Sequence, residues 1–330
     1  MSTAAVSFAL NDGPGVSEET RERVRRVAAE LGYRPNVSAR ALAKGRTGLL
    51  AVAPSVLPEV ASYLAIDYLS EVVSGAIGRA TALGHPVVVA PAMSTPTLWD
   101  SLPVDGVVVV DPKAGDQHVV EVLARGIPLV TVDRDPSHPD GWFVDSAVAE
   151  GTRAVLDHLW EKGARRVAVV SWEMEDAFRS DTESAYREWA SARGMPAIVE
   201  RWPHPRSGID EGRMSRLVAR SDVDAVYTVT LPFALAIVGA ARTVGRSVPG
   251  DLLVASARDL RETPETADVT TVEFHPELLG EAAVDLLLRR LDGSELPDIA
   301  ERTVPPSLSV RGSTARAATR GARRRSPRMR

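Results

Sequence analysis

From residue 49 onwards, short apolar runs alternate with stretches in which apolar residues recur every three or four positions. The apolar runs predict buried strands at 49–53, 86–90, 106–110, 128–132, 166–171, 225–229 and 252–256. The periodic stretches predict amphipathic helices near 66–83, 116–125, 147–162, 180–193, 209–220, 232–244 and 276–291. This alternation indicates an α/β fold of two lobes, each a doubly wound parallel sheet covered on both faces. Ligands of such folds bind beyond the carboxyl ends of the strands.

The N-terminal segment has a different pattern. Residues 3–10 predict a short helix, which the Asn-Asp-Gly-Pro-Gly run at 11–15 ends. Ser17 is a good N-cap for a second helix, with Glu18 and Glu19 in its first turn and Gly32 as its C-cap. Residues 37–44 favour one or two further helical turns. The segment is therefore predicted to be a small all-α unit.

The composition of the 330-residue chain excludes several kinds of site. There is no cysteine, which removes disulfides, thiolate metal ligands and a cysteine nucleophile. The six histidines are scattered and form no His-Glu-x-x-His motif, so we expect no metal and no cofactor. No apolar run is long enough to span a membrane, and the N-terminus lacks the features of a signal peptide. We therefore expect a cytoplasmic protein without membrane contact.

Charge divides the chain into three parts. Residues 1–47 carry a net charge of +3 and residues 311–330 carry +8, whereas the whole chain carries −5, so its middle is strongly acidic. The predicted domains are 1–47, 48–312 and a basic, disordered tail at 313–330. A basic end on an acidic body fits a protein that touches DNA at one end, although ordinary charge scatter would look similar. The tail either adds nonspecific DNA affinity or is only solvated.

Three sequence runs near the N-terminus carry a resemblance. They are STAAVSFALN at 2–11, VSEETRERV at 16–24, and ELGYRPN at 30–36 with ARAL at 39–42. Together they resemble the LacI/GalR family of transcriptional regulators, and so do VDGV at 104–107, the helix at 151–159 and TTV at 270–272. The resemblance implies a helix-turn-helix, a hinge helix and a periplasmic-binding-protein-like sensing domain. It implies a homodimeric repressor that binds a double-stranded DNA operator under the allosteric control of a small-molecule effector, typically a carbohydrate.

The same resemblance assigns roles to residues of the first helix. The 3–10 helix is similar to the recognition helix, with Thr3 and Ala4 facing base edges in the major groove. Ser7 and Asn11 would bind phosphates. Phe8 stands where the family usually has an arginine that reads guanine, so altered readout is expected at that base, unless Phe8 belongs to the small core.

Residues 37–43 resemble the hinge helix that enters the minor groove beside its partner's copy. Leu42 matches the leucine that wedges between base pairs, and Ala39 is small enough for close approach. The full set of expected DNA-binding residues is Ser2, Thr3, Ala4, Ser7, Phe8, Asn11, Ser17, Thr20, Tyr33, Asn36, Ala39 and Leu42.

The family's first helix has no counterpart in this sequence. Met1 stands where the family usually has valine, whose GTG codon is also a start codon, and arginine outnumbers lysine as in G+C-rich genomes. One hypothesis is that the native protein begins upstream. The other is a truncated regulator with poor specific DNA binding.

The expected effector site lies between the lobes. Its candidate residues are Tyr63, Trp172, Arg179, Asp181, Thr230 and Asp259. The sequence departs from the family there, because Thr230-Leu231 replaces the usual Asn-Asp and Thr182 replaces a common arginine. These departures weigh against a standard sugar. For single residues, a core tryptophan at 172 and a solvated Arg179–Asp181 pair are the competing interpretations.

Two other functions share parts of this pattern. A solute-binding protein has the same two-lobed fold, but the sequence shows no signal peptide. An α/β enzyme is the second, yet no GxGxxG, GxxxxGK[ST] or GxSxG motif follows a strand. Asp133, Asp135 and Asp145 resemble an acidic catalytic cluster, although their positions at strand ends favour loops and N-caps. We therefore expect a regulator and no enzymatic activity.

Overall fold

The computed structural model describes residues 2–10, 13–33, 45–55, 67–91, 94–95, 97–205, 208–257 and 268–315. The chain divides into two compact units, Met1–Gly48 and Leu49–Arg330, one residue beyond the predicted boundary. No helix in these ranges combines the length and apolar character needed to cross a bilayer.

The first unit contains the two predicted helices, α1 (Thr3–Leu10) and α2 (Glu18–Glu30). The Ser17 side chain accepts a hydrogen bond from the Thr20 amide, which caps α2 as predicted. Gly32, with φ +63°, follows the last turn, and the Tyr33 amide donates to the Ala28 carbonyl at 2.8 Å. A left-handed residue after the last turn is the usual end of a helix, and glycine adopts it without strain.

The N-terminal lobe of the second unit, called the N lobe, is a five-stranded parallel sheet in the order β2-β1-β3-β4-β5. Its strands are β1 (Leu50–Pro54), β2 (Val87–Val89), β3 (Gly106–Val110), β4 (Leu129–Val132) and β5 (Phe143–Val144). Its helices are α3 (Asp67–Ala82), α4 (Leu98–Ser101) and α5 (Gln117–Ala124). Buried side chains pack on both faces of the sheet, which is why its strands are apolar throughout.

The second lobe, the C lobe, is a six-stranded sheet in the order β11-β10-β9-β8-β6-β7, and only the β10–β11 pair is antiparallel. Its strands are β6 (Val167–Trp172), β7 (Ile198–Trp202), β8 (Ala225–Thr228), β9 (Leu253–Ala257), β10 (Thr270–Glu273) and β11 (Ser307–Ser309). Its helices are α6 (Val148–Glu161), α7 (Ala177–Ser191), α8 (Glu211–Val218) and α9 (Leu231–Thr243).

The chain passes between the lobes three times, after β5, after β10 and before β11. After β10 it forms α10 (Pro276–Leu291), which packs in the core of the N lobe. There α10 lies against α3 at two glycines. An ideal Cβ on Gly75 would come 2.0 Å from the Glu277 carbonyl oxygen, and one on Gly280 would come 2.0 Å from the Val72 carbonyl oxygen. Only glycine permits this backbone approach.

The seven predicted strands and seven predicted helices are all present, with ends shifted by a few residues. The largest shift is in α7, which begins at Ala177 because Asp176 caps it by accepting from the Arg179 amide. The pattern missed α4 and the short or partly exposed strands β5, β7, β10 and β11. The predicted start of the tail at residue 313 is wrong, since Ser313 and Thr314 are 3% and 0% exposed and bond to the C-lobe sheet.

Candidate functional site

The helix pair of the first unit presents α1 on its surface. Phe8 is 47% exposed, whereas Ala9 is fully buried and Val24 is 8% exposed. An ideal Cβ on Gly13 would lie 2.7 Å from Phe8 Cδ1, so the ring covers the glycine of the turn. The alternative that Phe8 belongs to the small core is therefore wrong.

The turn between α1 and α2 is held by Arg21, a residue that the sequence pattern did not single out. Its guanidinium donates to the carbonyl oxygens of Phe8, Gly13 and Val16, each at 3.4 Å. Arg21 is thus a positioning residue for α1. Its spacing of 13 residues from Phe8 and its place in a charged helix left no local signal for this contact.

The other expected DNA-binding residues of the described ranges lie just before α1, in α1, at the start of α2 and after its end. Ser2 precedes α1 and accepts a hydrogen bond from the Ala5 amide at 3.2 Å. Ser17 and Thr20 share a hydrogen bond of 2.9 Å at the start of α2, and the Tyr33 side chain is exposed. Thr3, Ala4 and Ser7 belong to α1. Asn11, Asn36, Ala39 and Leu42, with the predicted hinge helix, lie outside the described residues.

A groove of about 520 Å³ runs along the helix pair on an apolar face. It is lined by Val6, Leu10, Val24, Val27 and Leu31, together with Tyr33 and others. Leu31 is 78% exposed, so this face of the unit leaves apolar surface open.

In the second unit, acidic residues follow two neighbouring strands of the N lobe. Asp111 comes directly after β3 and Asp133 directly after β4, with φ values of +51° and +61°. This left-handed conformation is uncommon outside glycine and is found at functional sites. The Tyr68 hydroxyl, on α3, donates to Asp111 at 3.2 Å.

Asp176, a carboxylate of the C lobe, acts electrostatically on Asp111. Burial, followed by the charges of Asp133 and Asp176, raises the pKa of Asp111 well above its ordinary value. Burial also raises the pKa of Asp133 to about 6 and raises the pKa of Asp176. Asp111 follows β3, and Asp176 lies between β6 and α7, so residues beyond the carboxyl ends of strands from both lobes lie near one another. The position of Asp111 after a buried strand was the sequence signal that could have identified it.

Trp172 lies at the end of β6 and is part of an aromatic group. Its ring stacks on Phe178 at 5.8 Å and lies 6.2 Å from His204. Its indole Nε1 donates to the Asp176 carboxylate at 2.7 Å. The partly buried tryptophan thereby orients one of the cleft carboxylates.

Arg179 and Asp181 do not pair with one another. The Arg179 guanidinium donates to the Glu173 carbonyl at 3.3 Å and lies 3.7 Å from Glu175, so the proposed solvated pair is wrong. Asp181 instead accepts from Arg134 of the N lobe, at 2.7 Å between Nη2 and Oδ1. This ion pair connects the two lobes directly.

The remaining effector candidates contribute less. Thr230 is 2% exposed, and its carbonyl accepts from the Thr228 hydroxyl at 2.9 Å before α9 begins. Thr182 is fully buried on α7. Tyr63 and Asp259 lie outside the described residues.

The three aspartates that resembled a catalytic cluster accept backbone amides. Asp133 accepts from Ser146 at 3.0 Å, Asp145 from Ala147 at 2.7 Å, and Asp135 from Ser137 at 2.9 Å. Within the described ranges, no group of three or more His, Asp or Glu side chains is arranged to hold a metal ion.

Two family models match the chain. The model of bacterial regulatory proteins of the lacI family matches residues 1–36, and a periplasmic binding protein-like domain matches residues 156–314.

Relatives match along nearly the whole chain. The HTH-type transcriptional regulator CelR of Thermobifida fusca is 30% identical over 321 residues, covering 93% of each chain. Among solved structures, a complex of the regulator CelR with cellobiose superposes with a TM-score of 0.67 at 26% identity, covering 95% of this chain and 96% of the other. The Lac repressor dimer bound to operator and the anti-inducer ONPF shares the fold, with a TM-score of 0.78 at 24% identity and the same coverage.

Proposed function

Because the chain belongs to the LacI family of bacterial transcription regulators, we propose that it is a repressor that binds an operator as a homodimer. A small carbohydrate-like effector in the cleft between its lobes controls this binding. We propose that it acts in the cytoplasm, where bacterial DNA lies. The cleft binds its ligand without converting it.

The observation that carries the effector site is the convergence of carboxylates from both lobes. Asp111 and Asp133 belong to the N lobe and Asp176 to the C lobe, and burial is the largest cause of the raised pKa in each. Carboxylate oxygens accept hydrogen bonds from hydroxyl groups, and a polyol presents several hydroxyls at once. A ligand that bridges the two lobes at these oxygens favours one lobe arrangement over the other.

The related CelR, which forms a complex with cellobiose, supports a carbohydrate as the ligand class. The proposed effector site contains Trp172, Arg179 and Asp181 near the start of α7, and Thr230 at the start of α9. Tyr63 and Asp259 complete the proposed set. The proposed effector site also includes Asp111, Asp133 and Asp176. Trp172 acts by holding Asp176, while Asp181 acts through the ion pair with Arg134.

On the DNA side, we assign base contacts to the surface of α1. Thr3, Ala4 and Phe8 read base edges, and Ser2 and Ser7 bind phosphates, as do Asn11, Ser17 and Thr20. Tyr33 and Asn36 contact the backbone of the duplex, and Ala39 and Leu42 enter the minor groove. The exposed Phe8 ring is suited to a thymine methyl group rather than to guanine.

The binding of the effector and the binding of the operator are thermodynamically coupled. A ligand that changes the lobe arrangement changes the affinity for DNA, and DNA must change the affinity for the ligand by the same factor.

The test of the cleft is isothermal titration calorimetry with cellobiose and a panel of other sugars. We expect at least one sugar to bind. We expect Asp176→Asn to weaken that sugar about tenfold, the loss of one charge-assisted hydrogen bond. Asp222→Asn, on the surface of the C lobe beside Arg220, is the matched control and should leave affinity unchanged. Equal affinity in the wild type and Asp176→Asn would contradict the assignment.

The test of the DNA side is a gel shift with DNA from the gene's own promoter region, repeated with the bound sugar present. A sugar-dependent change in the shift supports the regulator. Sugar binding without any specific shift would instead support the rival role, a sensor or solute-binding protein that does not read DNA. Recovery of unchanged sugar from long incubations tests the absence of turnover.

A further inference from the structure

A second cavity lies beside two of the crossings between the lobes. It has a volume of about 680 Å³, within the range of small-molecule sites. Its lining includes Arg134, Phe143, Asp145, Leu296, Ile299 and Arg302. The residues come from the loop between β4 and β5, from β5 and the residue after it, and from the segment between α10 and β11. The cavity is therefore formed mainly by connections between elements.

Arg302 is the distinctive residue of this lining. Its guanidinium lies over the Phe143 ring, with 4.0 Å from Cζ to the ring centroid, and Nη1 donates to the Phe143 carbonyl at 3.0 Å. Among the described residues its Nε has no partner, and that atom is closed to solvent. Burial lowers the pKa of Arg302, and the nearby charge of Asp145 offsets this only in part. Among the residues that the structure describes, no carboxylate forms an ion pair with this guanidinium.

The other charged residues of the lining have hydrogen-bond partners or lie at the rim. Arg134 is paired with Asp181 at 2.7 Å. Asp145 accepts the Ala147 amide at 2.7 Å, and Asp140 is exposed at the rim. Arg302 is therefore the cation of the lining that is left for an anionic ligand, although the charge of Asp145 partly offsets it. The carboxylates of Asp140 and Asp145 disfavour a dianion more strongly than a monoanion.

The rest of the lining is apolar. Ile299 is 46% exposed and Leu296 is 36% exposed, and both stand on the segment that leads to Arg302. Exposed aliphatic side chains beside a guanidinium that forms no ion pair with a described residue suit a ligand with an anionic end and an apolar body.

We propose that this cavity binds a small organic monocarboxylate, with its carboxylate on Arg302 and its apolar part on Leu296 and Ile299. Arginine is the preferred partner of a carboxylate, since its planar donors match the two oxygens. The site adjoins the effector cleft, since Arg134 lines it and pairs with Asp181, but it does not depend on the identity of the effector.

The position of the cavity gives its ligand a route to regulation. The Asp145 amide donates to the Arg302 carbonyl at 2.9 Å, and the Val304 amide donates to the Asp145 carbonyl at 2.8 Å. These bonds tie together two segments that continue into the C lobe. A ligand held on Arg302 contacts the segment that these bonds join to Asp145. It therefore biases the angle between the lobes, and the effector in the cleft senses the same angle.

The test uses hexanoate as the probe and hexylammonium as its counterpart of opposite charge, titrated into the full chain and followed by ligand-observed NMR. We expect the wild type to bind hexanoate in preference to hexylammonium. Arg302→Gln should weaken hexanoate about tenfold, as for the loss of one charge-assisted hydrogen bond. The matched control is Arg290→Gln, which removes another partly buried arginine that donates to a carbonyl, that of Leu129, outside this cavity. This variant should keep the wild-type affinity.

A second variant keeps the proposal testable if Arg302→Gln fails to fold. Ile299→Glu changes an exposed side chain and places a negative charge in the cavity, so it should abolish hexanoate binding while the circular dichroism spectrum stays native. The proposal is overturned by a wild type that does not bind hexanoate, by equal binding of the two probes, or by unchanged hexanoate affinity in Ile299→Glu.

Discussion

Arg134 and Asp181 are 47 residues apart in the chain, yet Arg134 Nη2 lies 2.7 Å from Asp181 Oδ1 across the cleft between the lobes. Arg134 follows β4 of the N lobe and Asp181 stands on α7 of the C lobe. Both side chains are about one-third exposed, at 37% and 31%, so solvent weakens the pair without removing it. The contact belongs to one arrangement of the lobes and is lost when they separate.

Asp181→Asn should therefore shift the lobes toward an open arrangement. Because the pair is part-exposed, its coupling is about 1 kcal/mol, which corresponds to a severalfold change in an equilibrium between the two arrangements. Small-angle X-ray scattering should show a larger radius of gyration for the variant. Arg153→Gln breaks the Arg153–Glu188 pair, which lies within the C lobe at 2.9 Å, and should leave the scattering unchanged. Identical curves for all three proteins would contradict the role of Arg134–Asp181.

The α3–α10 contact predicts a difference between two glycines of the same helix. Gly75→Ala forces a Cβ against the Glu277 carbonyl and should destabilise the fold by about 1–3 kcal/mol or more. Gly78 has nothing within 4 Å of an ideal Cβ, so Gly78→Ala should be neutral or stabilise by about 0.5–1 kcal/mol. Urea unfolding of the two variants gives the comparison. Equal free energies of unfolding would show that the helices separate easily.

Glu183 predicts a pH dependence of stability. Its side chain is 3% exposed and bonds to Ser171, Arg187 and Arg201. Burial alone would raise the pKa of Glu183, but the bonds from Arg201, Ser171 and Arg187 outweigh it and hold the pKa at about 2, below the ordinary 4.5. A depressed folded-state pKa means that this stabilisation is present above pH 4.5 and is lost as the pH falls toward 2.

Glu183→Gln should accordingly lower the free energy of unfolding by about 2 kcal/mol near neutral pH. The difference in this free energy between the variant and the wild type should shrink as the pH falls. The measurement is the free energy of unfolding against pH. Glu188→Gln, an exposed carboxylate on the same helix, provides the control and should follow the wild-type curve. A difference in the free energy of unfolding that stays constant as the pH falls would argue against a stabilising role for the ion pairs of Glu183.

Phe8 predicts a change of operator preference. If its exposed ring contacts a thymine methyl, Phe8→Arg should shift the preferred base at that position to guanine, with discrimination of about 1–3 kcal/mol. Selection from a randomised operator library measures the preference. Leu31→Arg adds the same charge on an exposed position after α2 and should raise affinity without changing the preferred base. The same consensus for Phe8→Arg and the wild type would remove Phe8 from the base-reading surface.

Local patterns were sufficient to predict most of the fold. The strands of the N lobe are apolar on both faces and bounded by turn residues, and the helices repeat every three or four residues, so each was visible within a short window. Ser17 was predicted as a cap because capping depends on the next three residues only. The strands that were not predicted, such as β5 with two residues, are too short for a periodic signal.

Local sequence patterns predicted the site residues less completely than they predicted the fold. Trp172 and Asp181 were selected from their positions after a strand and at a helix start, but their partners, Asp176 and Arg134, came only with the structure. Asp111 was not selected, although it follows β3 directly. A position after a strand shows which edge of the sheet a residue occupies, and it does not show what faces it from the other lobe.

The sequence by itself determined the elements, their alternation and the family, because helix and strand periods and the N-terminal motif are local properties of the chain. Tertiary structure alone decided that Arg134 meets Asp181, that Gly75 lies under Glu277, and that Arg302 donates to the Phe143 carbonyl. These contacts join residues distant in the chain, and they depend on how the lobes pack. The free energy of such packing is a sum over many distant side chains, which no short window of sequence contains.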